Sequence, residues 1–565
     1  MNSEAIIAEA RSSDELVSLV GKRRFSGEAL IVGCIYLVES GGVTLLAEPE
    51  SARSDLYGIA ARYGSRIAYP PAVADEVGDW LSRPGIDDPA LDDLTGLAFV
   101  TIDNEGSRDL DQALFVERDG DARVIRYALA DASYYVRPGM ALFEEALLRG
   151  VTDYLPGLAF PMLPSQFSEG LVSLNPGVER RAVVLHMRVE SDGRCSETHV
   201  SRARIRSRAK LTYGGVQEYF DDPARRPVGG PEVEASLNNF RDVGLVRMEE
   251  ARRRDVVQYQ RKQVEISIPH KGQYRFGLTG DERNMTERYN EQVSLLCNME
   301  GARLLAEAGA NAIWRVHPAP PGERLEALGR LAAGVARVHG LDLSWTPRHL
   351  GGSSVSELLD TVRRVAPTGV QQAIERAAMI SNVRSTFTPE HGPHHGVGAE
   401  GYARVSSPMR EIVGVFTHAL LLHSQGLESW EATPDDSLRD AVARAGNEGQ
   451  SRQRRLAKAA NRLVLDWFFE RDLRDDDRPW RAGFVVELRP SRVYVLLDEP
   501  PFEVKVYGSD LGSQSRLDQD GALLRLKGGD AAQVTELLLG QRVELRTARL
   551  EQERWRFALR VGHEG

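Results

Sequence analysis

Cysteines, long apolar runs and lysines are all scarce in this sequence of 565 residues. The three cysteines, Cys34, Cys195 and Cys297, are too few and too far apart for a disulfide framework or a zinc site, which favours a reducing cytoplasm. The longest apolar run, ALIVGCIYLV from Ala29, is far too short to span a bilayer. The N-terminus also lacks the positive region of a signal peptide. The sequence therefore predicts a cytoplasmic protein without a membrane partner.

Only 7 of the 71 basic residues are lysine, and the others are arginine. The 82 acidic residues make the net charge −11, which taken alone argues against a nucleic-acid partner. The planar fork of arginine, however, binds phosphate oxygens through two parallel hydrogen bonds. A GC-rich genome would produce the same arginine bias, so composition leaves nucleic-acid binding open.

The patterns of apolar and turn residues divide the chain into three predicted domains, residues 1–90, 91–475 and 476–565. In the first, SSDELVSLV begins with a Ser/Asp capping signal and predicts a helix. ALIVGCIYLVESGGVTLLAE fits either a hairpin closed at Gly41-Gly42 or a buried helix followed by a strand. SDLYGIAARYG and ADEVGDWLS predict two further helices.

The second and third domains mix strands and helices, so the predicted fold class is α+β. LAFVTID and VIRYALADASYYV predict central strands, and NEQVSLLCNMEGARLLAEAG predicts a helix that ends near Gly309. Five short strands after Asp477 predict a small β-barrel of the OB type. The alternation in HVSRARIRSRAKLTY predicts one strand with basic side chains on one face, namely Arg202, Arg204, Arg206, Arg208 and Lys210.

The stretch TIDNEGSRDLDQAL places Asp103, Asp109 and Asp111 within nine residues, with Glu105 between them. Like charges this close repel one another, and burying any one of them is costly without compensation. A solvated acidic loop is the common explanation for such a cluster. Here the cluster follows an apolar strand and precedes the apolar segment ALFV, which places it at the edge of a core.

Two metal-binding interpretations of this stretch compete with the solvated loop. A calcium loop of the EF-hand type fails, because Arg108 replaces the turn glycine and Leu114 replaces the bidentate glutamate. A magnesium site serving phosphate chemistry fits better. Mg²⁺ takes one or two carboxylates, keeps several waters and lets substrate phosphates complete its octahedron.

TIDNEGSRDLDQAL resembles the signature of the RNase II / RNase R (RNB) family of exoribonucleases. Further blocks resemble this family in the same order, from about residue 96 to residue 425. They are LADASYYVRPG, DYLPGLAFPMLPSQFSEGLVSLNPGVERRAV, IRSRAKLTY, WRVHPAPP and GPHHGVGAEGYARVSSPMR. The resemblance implies an RNB-type catalytic domain followed by an OB-type RNA-binding domain. The first 90 residues would then form a small accessory or RNA-binding module, either α/β or winged-helix-like.

By this resemblance, Asp103, Asp109 and Asp111 match three of the four signature aspartates, and Gln112 takes the fourth place. These four residues are the predicted metal ligands, with Mg²⁺ as the cofactor and Mn²⁺ as an alternative. Glutamine offers an oxygen without charge, so the departure predicts weaker metal binding. Asp109 and Asp111 are also the predicted catalytic carboxylates.

Arg410, in SSPMR, matches the arginine that stabilises charge on the phosphoryl oxygens, and it completes the predicted catalytic set. Glu411 stands where the family has a second basic residue. Tyr154 matches an aromatic residue that stacks on a base near the 3′ end, although a tyrosine before a Leu-Pro turn is also typical of a core. The other predicted RNA-binding residues are Tyr213, Glu291, Arg206, Arg208 and Lys210.

The resemblance implies a hydrolytic, metal-dependent 3′→5′ exoribonuclease that degrades single-stranded RNA to nucleoside 5′-monophosphates. An RNB-fold protein that binds RNA but hydrolyses it weakly, because of Gln112, is the alternative from another class. A DNA nuclease is disfavoured by the resemblance alone.

Overall fold

The structure is a computed structural model. It describes residues 5–39, 42–259, 263–269, 276–281, 283–427, 430, 434–511, 514–527 and 536–562. The chain forms two compact units: Met1–Arg254, Arg283–His317 and Ser385–Ala460 make the first, and Asp255–Glu282, Pro318–Arg384 and Asn461–Gly565 make the second. Helices and strands are mixed along the whole chain, which confirms the predicted α+β class. The domain boundaries near residues 90 and 475 stay predictions.

The first segment of the chain forms a five-stranded antiparallel sheet in the order β3-β2-β1-β4-β5. Its strands are β1 (Ile6–Ala10), β2 (Glu15–Ser18), β3 (Arg24–Ser26), β4 (Ile35–Glu39) and β5 (Gly42–Ala47). The hairpin of β4 and β5 confirms the first of the two alternatives for that stretch. Helices α1 (Ala52–Tyr63) and α2 (Pro71–Ser82) follow as predicted. A sheet followed by helices fits the α/β alternative for this module rather than the winged-helix-like one.

The helix predicted in SSDELVSLV is wrong, because the segment contains strand β2. The Ser/Asp signal serves a tight turn instead: the Oγ of Ser12 accepts a hydrogen bond from the backbone N–H of Glu15 at 3.0 Å. Leu16 and Ser18 are buried and alternate with more exposed neighbours, as in a half-buried strand. Pairing with β1 and β3 therefore overrides the local capping signal.

A seven-stranded sheet forms the centre of the first unit, in the order β14-β7-β8-β9-β12-β13-β6. The strands introduced here are β6 (Asp92–Asp93), β7 (Val100–Asp103), β8 (Gln112–Asp119), β9 (Ala122–Ala130), β10 (Asp153–Leu155), β11 (Leu158–Phe160), β12 (Glu179–Val189), β13 (Cys195–Arg206) and β14 (Ala209–Thr212). Strands β10 and β11 form a separate hairpin.

The single strand predicted over HVSRARIRSRAKLTY is in fact two strands, β13 and β14. Strand β13 pairs with β12, whereas β14 pairs in parallel with β7 at one edge of the sheet. Five strand spacings of about 4.8 Å would separate β14 from β13 in a flat sheet. Only Ser207 and Arg208 connect them, and three Cα steps reach about 11 Å at most. The sheet must therefore curl, and Lys210 does not share a strand face with Arg206.

The remaining strands form smaller sheets. They are β15 (Gln263–Ser267), β16 (Gly277–Asp281), β17 (Trp314–Val316), β18 (Thr386–Thr388), β19 (Arg481–Arg489), β20 (Arg492–Leu497), β21 (Glu503–Tyr507), β22 (Gln514–Leu517), β23 (Leu523–Lys527), β24 (Glu536–Leu538), β25 (Arg542–Glu551) and β26 (Arg554–Val561). The five strands predicted after Asp477 are β19, β20, β21, β25 and β26, and they form one sheet in the order β21-β20-β19-β25-β26. This order repeats that of the N-terminal sheet. Within the described ranges, hydrogen bonding closes neither sheet into a barrel.

The remaining helices belong to both units and carry several of the motifs. They are α3 (Ala132–Tyr135), α4 (Ala141–Arg149), α5 (Tyr213–Asp221), α6 (Pro231–Arg253), α7 (Met285–Glu307), α8 (Gly322–His339), α9 (Val355–Val365), α10 (Thr368–Ser381), α11 (Ile412–Ser424), α12 (Asp436–Arg474) and α13 (Gly508–Leu511). A π-helix covers Gln166–Leu171, and 3₁₀-helices cover Arg348–Leu350 and His395–Val397.

Helices α7 and α11 position the motif that contains Arg410. Helix α7 begins with a capping box between Asn284 and Glu287 and ends just before Gly309, which has a φ of +60°, as predicted. Helix α11 is apolar on nearly all sides and is buried from Ile412 to Leu422. Because α11 begins two residues after Arg410, the packing of this helix in the core fixes the position of the arginine.

Candidate active site

The acidic stretch forms the connection between β7 and β8. Asp103 ends β7, and its Oδ1 accepts hydrogen bonds from the backbone N–H of Asn104 at 2.7 Å and from the Ser107 hydroxyl at 2.9 Å. The ammonium group of Lys210 donates to the carbonyl oxygens of Glu105 and Ser107, at 2.8 and 2.5 Å. The loop is thus held in one compact conformation, and Lys210, a predicted RNA contact, is used to brace it.

Asp111 is paired with Arg410, which lies 299 positions further along the chain. The carboxylate has no solvent exposure, and its Oδ2 lies 2.5 Å from the Nε of Arg410. Its Oδ1 accepts a hydrogen bond from the backbone N–H of Met409 at 2.9 Å. Burial raises the pKa of Asp111, and the positive charge of Arg410 opposes that rise. A buried carboxylate held this way rules out a merely solvated acidic loop.

The segment before Arg410 has an uncommon backbone conformation. Ser407 has a φ of +64°, which non-glycine residues adopt rarely and which recurs at active sites as well as in turns. Its hydroxyl accepts a hydrogen bond from Nη2 of Arg410 at 3.2 Å. Asn298 of α7 supports the segment, because its Oδ1 accepts from the N–H groups of Val405 and Ser406 at 2.7 and 2.9 Å. Asn298 is a polar residue inside the apolar run LLCNMEGA, and it was not among the residues predicted from sequence.

Asp109, which lies between Asp103 and Asp111 in the sequence, is in surroundings that disfavour its charged form. Burial raises its pKa first, the charges of Asp111 and Asp103 raise it further, and Arg410 opposes these effects. The three carboxylates are therefore near enough to influence one another with a single arginine as compensation. No three His, Cys, Asp or Glu side chains in the described part of the chain form a complete metal cage. Since Mg²⁺ needs only one or two carboxylates before substrate phosphate binds, this donor set fits that ion.

Gln112 begins β8, and its Oε1 accepts a hydrogen bond from the hydroxyl of Tyr127, which is fully buried. One lone pair of the amide oxygen is thus already used within the protein. The role of Gln112 as a metal ligand stays a prediction.

Arg410 and Tyr154 line a cleft of about 340 Å³. Tyr154 lies in β10 and is 42% exposed. Burial of its hydroxyl raises its pKa to about 12, while the nearby Arg410 acts in the opposite direction. The cleft is lined by Val151, Thr152, Tyr154, Arg404, Ser407, Arg410, Glu411, Gln450, Gln453 and Arg454. An exposed aromatic ring beside an arginine suits the stacking role predicted for Tyr154, and the core alternative does not fit its exposure.

Glu411, which replaces a basic residue of the family pattern, forms a bidentate ion pair with Arg404. The two N···O distances are 2.9 and 3.2 Å. The carboxylate of Glu411 is thereby compensated, and the pair contributes little net charge to the cleft.

The other predicted RNA-binding residues are placed differently from one another. Tyr213 begins α5, its hydroxyl accepts a hydrogen bond from Asn290 at 2.9 Å, and burial together with the charge of Asp103 raises its pKa to about 12. Tyr213 therefore lies near the acidic cluster. Glu291 instead forms a surface ion pair with Arg283 at 3.1 Å.

The arginines around the end of β13 are held by contacts within the protein. Arg206 pairs with Glu179, and the Nη2 of Arg208 donates to the carbonyl oxygen of Gly96 at 3.1 Å. Arg202 pairs with the buried Asp131 at 3.0 Å. An RNA-binding role for Arg206, Arg208, Lys210 and Glu291 stays a prediction.

Comparison with known proteins places this geometry in a family. The sequence model of the RNB domain matches residues 91–424. The chain belongs to the RNB domain family. Its RNB domain is the part that contains the acidic loop, the cleft and Arg410.

Two curated relatives match beyond the RNB domain. Exoribonuclease 2 of Cronobacter sakazakii is 29% identical over 423 residues, which cover 74% of this chain and 61% of the relative. Ribonuclease R of Escherichia coli is 29% identical over 468 residues, which cover 80% of this chain and 55% of the relative. The match thus spans little more than half the length of these relatives.

The solved structure of Mycoplasma genitalium RNase R in complex with ribose-methylated single-stranded RNA has a similar fold. Its TM-score is 0.80 at 17% identity, over 99% of this chain and 90% of that chain. Among the helices that the structure describes, none has the length and apolar character that a membrane span requires.

Proposed function

We propose that this protein is a hydrolytic, Mg²⁺-dependent 3′→5′ exoribonuclease that degrades single-stranded RNA to nucleoside 5′-monophosphates. The observation that carries the proposal is the pairing of Asp111 with Arg410. This pairing joins the acidic loop, which can hold a metal ion, to Arg410, which lies beside the exposed ring of Tyr154. Hydrolysis at a strand end uses a metal ion, a cation for the phosphoryl charge and a ring that holds the last bases.

The names of the relatives support the same proposal. The curated relatives are an exoribonuclease and a ribonuclease R, and the RNase R of similar fold was solved with single-stranded RNA. We therefore propose single-stranded RNA as the substrate of this chain as well. The predicted cytoplasmic location is supported by the three cysteines, all of which are free thiols.

Tyr154 and Arg410 would have separate roles in the cleft. The ring of Tyr154 would stack on a base near the 3′ end and hold the last phosphodiester over the acidic loop. The Nη groups of Arg410 would donate to the phosphoryl oxygens, since its Nε already bonds Asp111. Hydrolysis breaks the bond between phosphorus and the 3′ oxygen, so the phosphate leaves with the released nucleotide as a 5′-monophosphate.

Asp103, Asp109 and Asp111 would hold the metal, with Gln112 as the predicted fourth ligand and Mn²⁺ as the alternative ion. When bound, the ion supplies a water of lowered pKa and neutralises charge on the leaving oxygen. Burial, and after it the charges of Asp111 and Asp103, raise the pKa of Asp109, and a bound cation would offset these effects.

A second candidate function is RNA binding with little hydrolysis. The observation that favours it concerns Gln112, which lacks the charge of the fourth aspartate and whose amide oxygen already accepts a hydrogen bond from Tyr127.

Purified protein incubated with 5′-labelled single-stranded RNA, in Mg²⁺ and in chelator, separates the two functions. The nuclease proposal predicts a ladder that shortens only in Mg²⁺, whereas RNA binding without shortening would support the second candidate. A DNA strand of the same sequence, run in parallel, tests the preference for ribose.

A further inference from the structure

One side of helix α12 presents three side-chain amides, at Asn447, Gln450 and Gln453. Their spacing of three residues places them along one side of the helix. Asn447 forms two hydrogen bonds with the main chain of Phe387: its Oδ1 accepts from the N–H at 2.9 Å, and its Nδ2 donates to the carbonyl at 2.8 Å. The Oε1 of Gln450 accepts from the guanidinium of Arg315 at 2.6 Å.

Gln453 forms the same pair of main-chain hydrogen bonds with Tyr154, the residue that is predicted to stack on RNA. Its Oε1 accepts from the backbone N–H of Tyr154 at 2.7 Å, and its Nε2 donates to the carbonyl of Tyr154 at 2.9 Å. The amide therefore pairs with β10 as a neighbouring strand would, and it leaves the tyrosine ring untouched. The adjacent Arg452 donates from Nε to Oδ2 of the buried Asp153 at 2.7 Å.

Two glycines let the helix approach closely enough for these short amides to reach. A Cβ at Gly446 would lie 2.7 Å from Val413 and 3.0 Å from Phe387, and a Cβ at Gly449 would lie 3.0 Å from Val151. A side chain at Gly449 would push α12 away from Val151, which leads into β10, and one at Gly446 would push it away from Val413 and Phe387. The sequence GNEGQSRQ is thus a close-contact face rather than a solvated polar stretch.

Strand β10 needs this support, because its own hairpin is minimal. Strands β10 and β11 have three residues each and, among the strands that the structure describes, pair only with one another. Isolated two-stranded hairpins are marginally stable in water. Without an outside partner, the main chain at Tyr154 would sample several conformations, and the direction of its ring would vary with them.

We infer that Gln453 is a positioning residue: its paired hydrogen bonds fix the main chain of Tyr154, and so determine where the terminal bases stack and where digestion stops. The inference rests on the proposed function where the length of the final products is measured. Where RNA binding is measured, it requires only that the ring of Tyr154 stacks on a base. Since both ends of the Gln453 amide bond the main chain of Tyr154, its loss should alter the register of the RNA more than the chemical step.

The test compares Gln453→Met, which removes both hydrogen bonds at similar length, with Gln453→Glu, which keeps an acceptor for the Tyr154 N–H but places a carboxylate against its carbonyl. Gln425→Met, at the exposed end of α11, is the matched control.

Melting curves establish that each variant folds. The activity readout is the length of the final products from 5′-labelled RNA. The binding readout is the fluorescence of 2-aminopurine near the 3′ end of the RNA, measured in chelator so that no hydrolysis is required.

The expected result is longer final products and weaker 2-aminopurine quenching for both Gln453 variants, while the rate at which nucleotides are removed from long RNA stays close to that of the wild type. In the Tyr154→Ala background, Gln453→Met should add nothing, because the ring it positions is gone. Wild-type product lengths and quenching in the folded variants would overturn the inference, as would a full additional effect in the Tyr154→Ala background. If the wild-type protein does not shorten RNA at all, the proposed function fails, and quenching in chelator still decides the role of Gln453.

Discussion

The Nε of Arg410 lies 2.5 Å from Oδ2 of Asp111, a carboxylate with no solvent exposure. This contact joins the two motifs on which the proposed chemistry depends, and neither residue is compensated without the other. Burial alone would favour the neutral form of Asp111, and Arg410 is the nearest positive charge that opposes it. The pair thus has both a structural and a chemical role, and the two roles can be measured separately.

The structural role predicts a non-additive effect on the free energy of unfolding. Arg410→Ala leaves a buried carboxylate without its partner, which should lower stability by about 3 kcal/mol. In the Asp111→Asn background the same substitution should cost about 1 kcal/mol or less, because no buried charge is left behind. Urea denaturation of the four proteins at pH 7 gives the coupling energy. Equal costs in both backgrounds would show that the pair is not energetically coupled.

Tyr154→Ala should change where digestion stops more than how fast the chemistry runs. The ring is 42% exposed in the cleft beside Arg410, and base stacking is worth roughly 1–3 kcal/mol per base. Its loss should leave longer final fragments from 5′-labelled RNA. Tyr154→Phe is the matched control and should preserve the wild-type fragment length. Fragments of unchanged length from the alanine variant would argue against stacking.

Gln112→Asp should sharpen the dependence of activity on Mg²⁺. Three aspartates supply at most three negative charges, and metal affinity follows ligand charge as well as ligand number. We expect the Mg²⁺ concentration for half-maximal activity to fall by roughly three- to tenfold. In chelator, the fourth carboxylate should lower the melting temperature, because it repels the other three.

Tyr127→Phe is the control for this substitution, because it frees the Gln112 oxygen from its hydrogen bond without adding charge. It should leave the Mg²⁺ requirement nearly as in the wild type. If Gln112→Asp also leaves that requirement unchanged, Gln112 does not face the metal, and the main reason for suspecting a weakened enzyme disappears.

His418 should make the fold sensitive to acid. The ring is fully buried in α11, its Nε2 donates to the carbonyl of Val405 at 2.7 Å, and burial lowers its pKa from 6.5 to about 4. Between these two pH values the unfolded chain binds a proton that the folded chain excludes, so stability is lost as the pH falls. By pH 4 the loss from this residue should reach roughly 3 kcal/mol.

His418→Gln retains a donor for the carbonyl of Val405 but cannot be protonated. Between pH 6.5 and 4, unfolding of this variant should take up one proton fewer, so its free energy of unfolding should fall less steeply with pH. Denaturant titrations at several pH values measure this difference. An unchanged slope for His418→Gln would mean that the folded protein accommodates the protonated ring.

The candidate site was largely predictable from sequence, because its chemistry is concentrated in contiguous motifs. Like charges next to an apolar strand marked Asp103, Asp109 and Asp111, and the block SSPMR marked Arg410. Asn298 and Gln453 could not be found in this way. Each acts by hydrogen bonding to the main chain of a distant segment, and an amide side chain in a helix gives no local sign of that partner.

The errors in the fold prediction have the same physical origin. A capping signal is local, so it predicts a helix in SSDELVSLV. The segment contains a strand instead, because it pairs with β1 and β3. In the same way, alternation could not reveal that the chain leaves β12 after Arg206 and joins β7 from Ala209 onward. Strand partners are set by contacts between remote segments, which periodicity does not encode.

The most direct test of the proposed function uses RNA that carries a different label at each end, with wild-type protein and Asp111→Asn compared in Mg²⁺. Asp111→Asn leaves Arg410 without its charged partner, so its melting temperature should fall, and the assay is run below that temperature, where RNA binding should stay close to that of the wild type. For the wild type we predict immediate release of the 3′ label as a mononucleotide and gradual shortening of the 5′-labelled strand, and for Asp111→Asn the loss of nearly all release of either label. Release from the 5′ end, internal cleavage, or near-normal turnover by folded Asp111→Asn would contradict the assignment of this cluster as a 3′→5′ exonuclease centre.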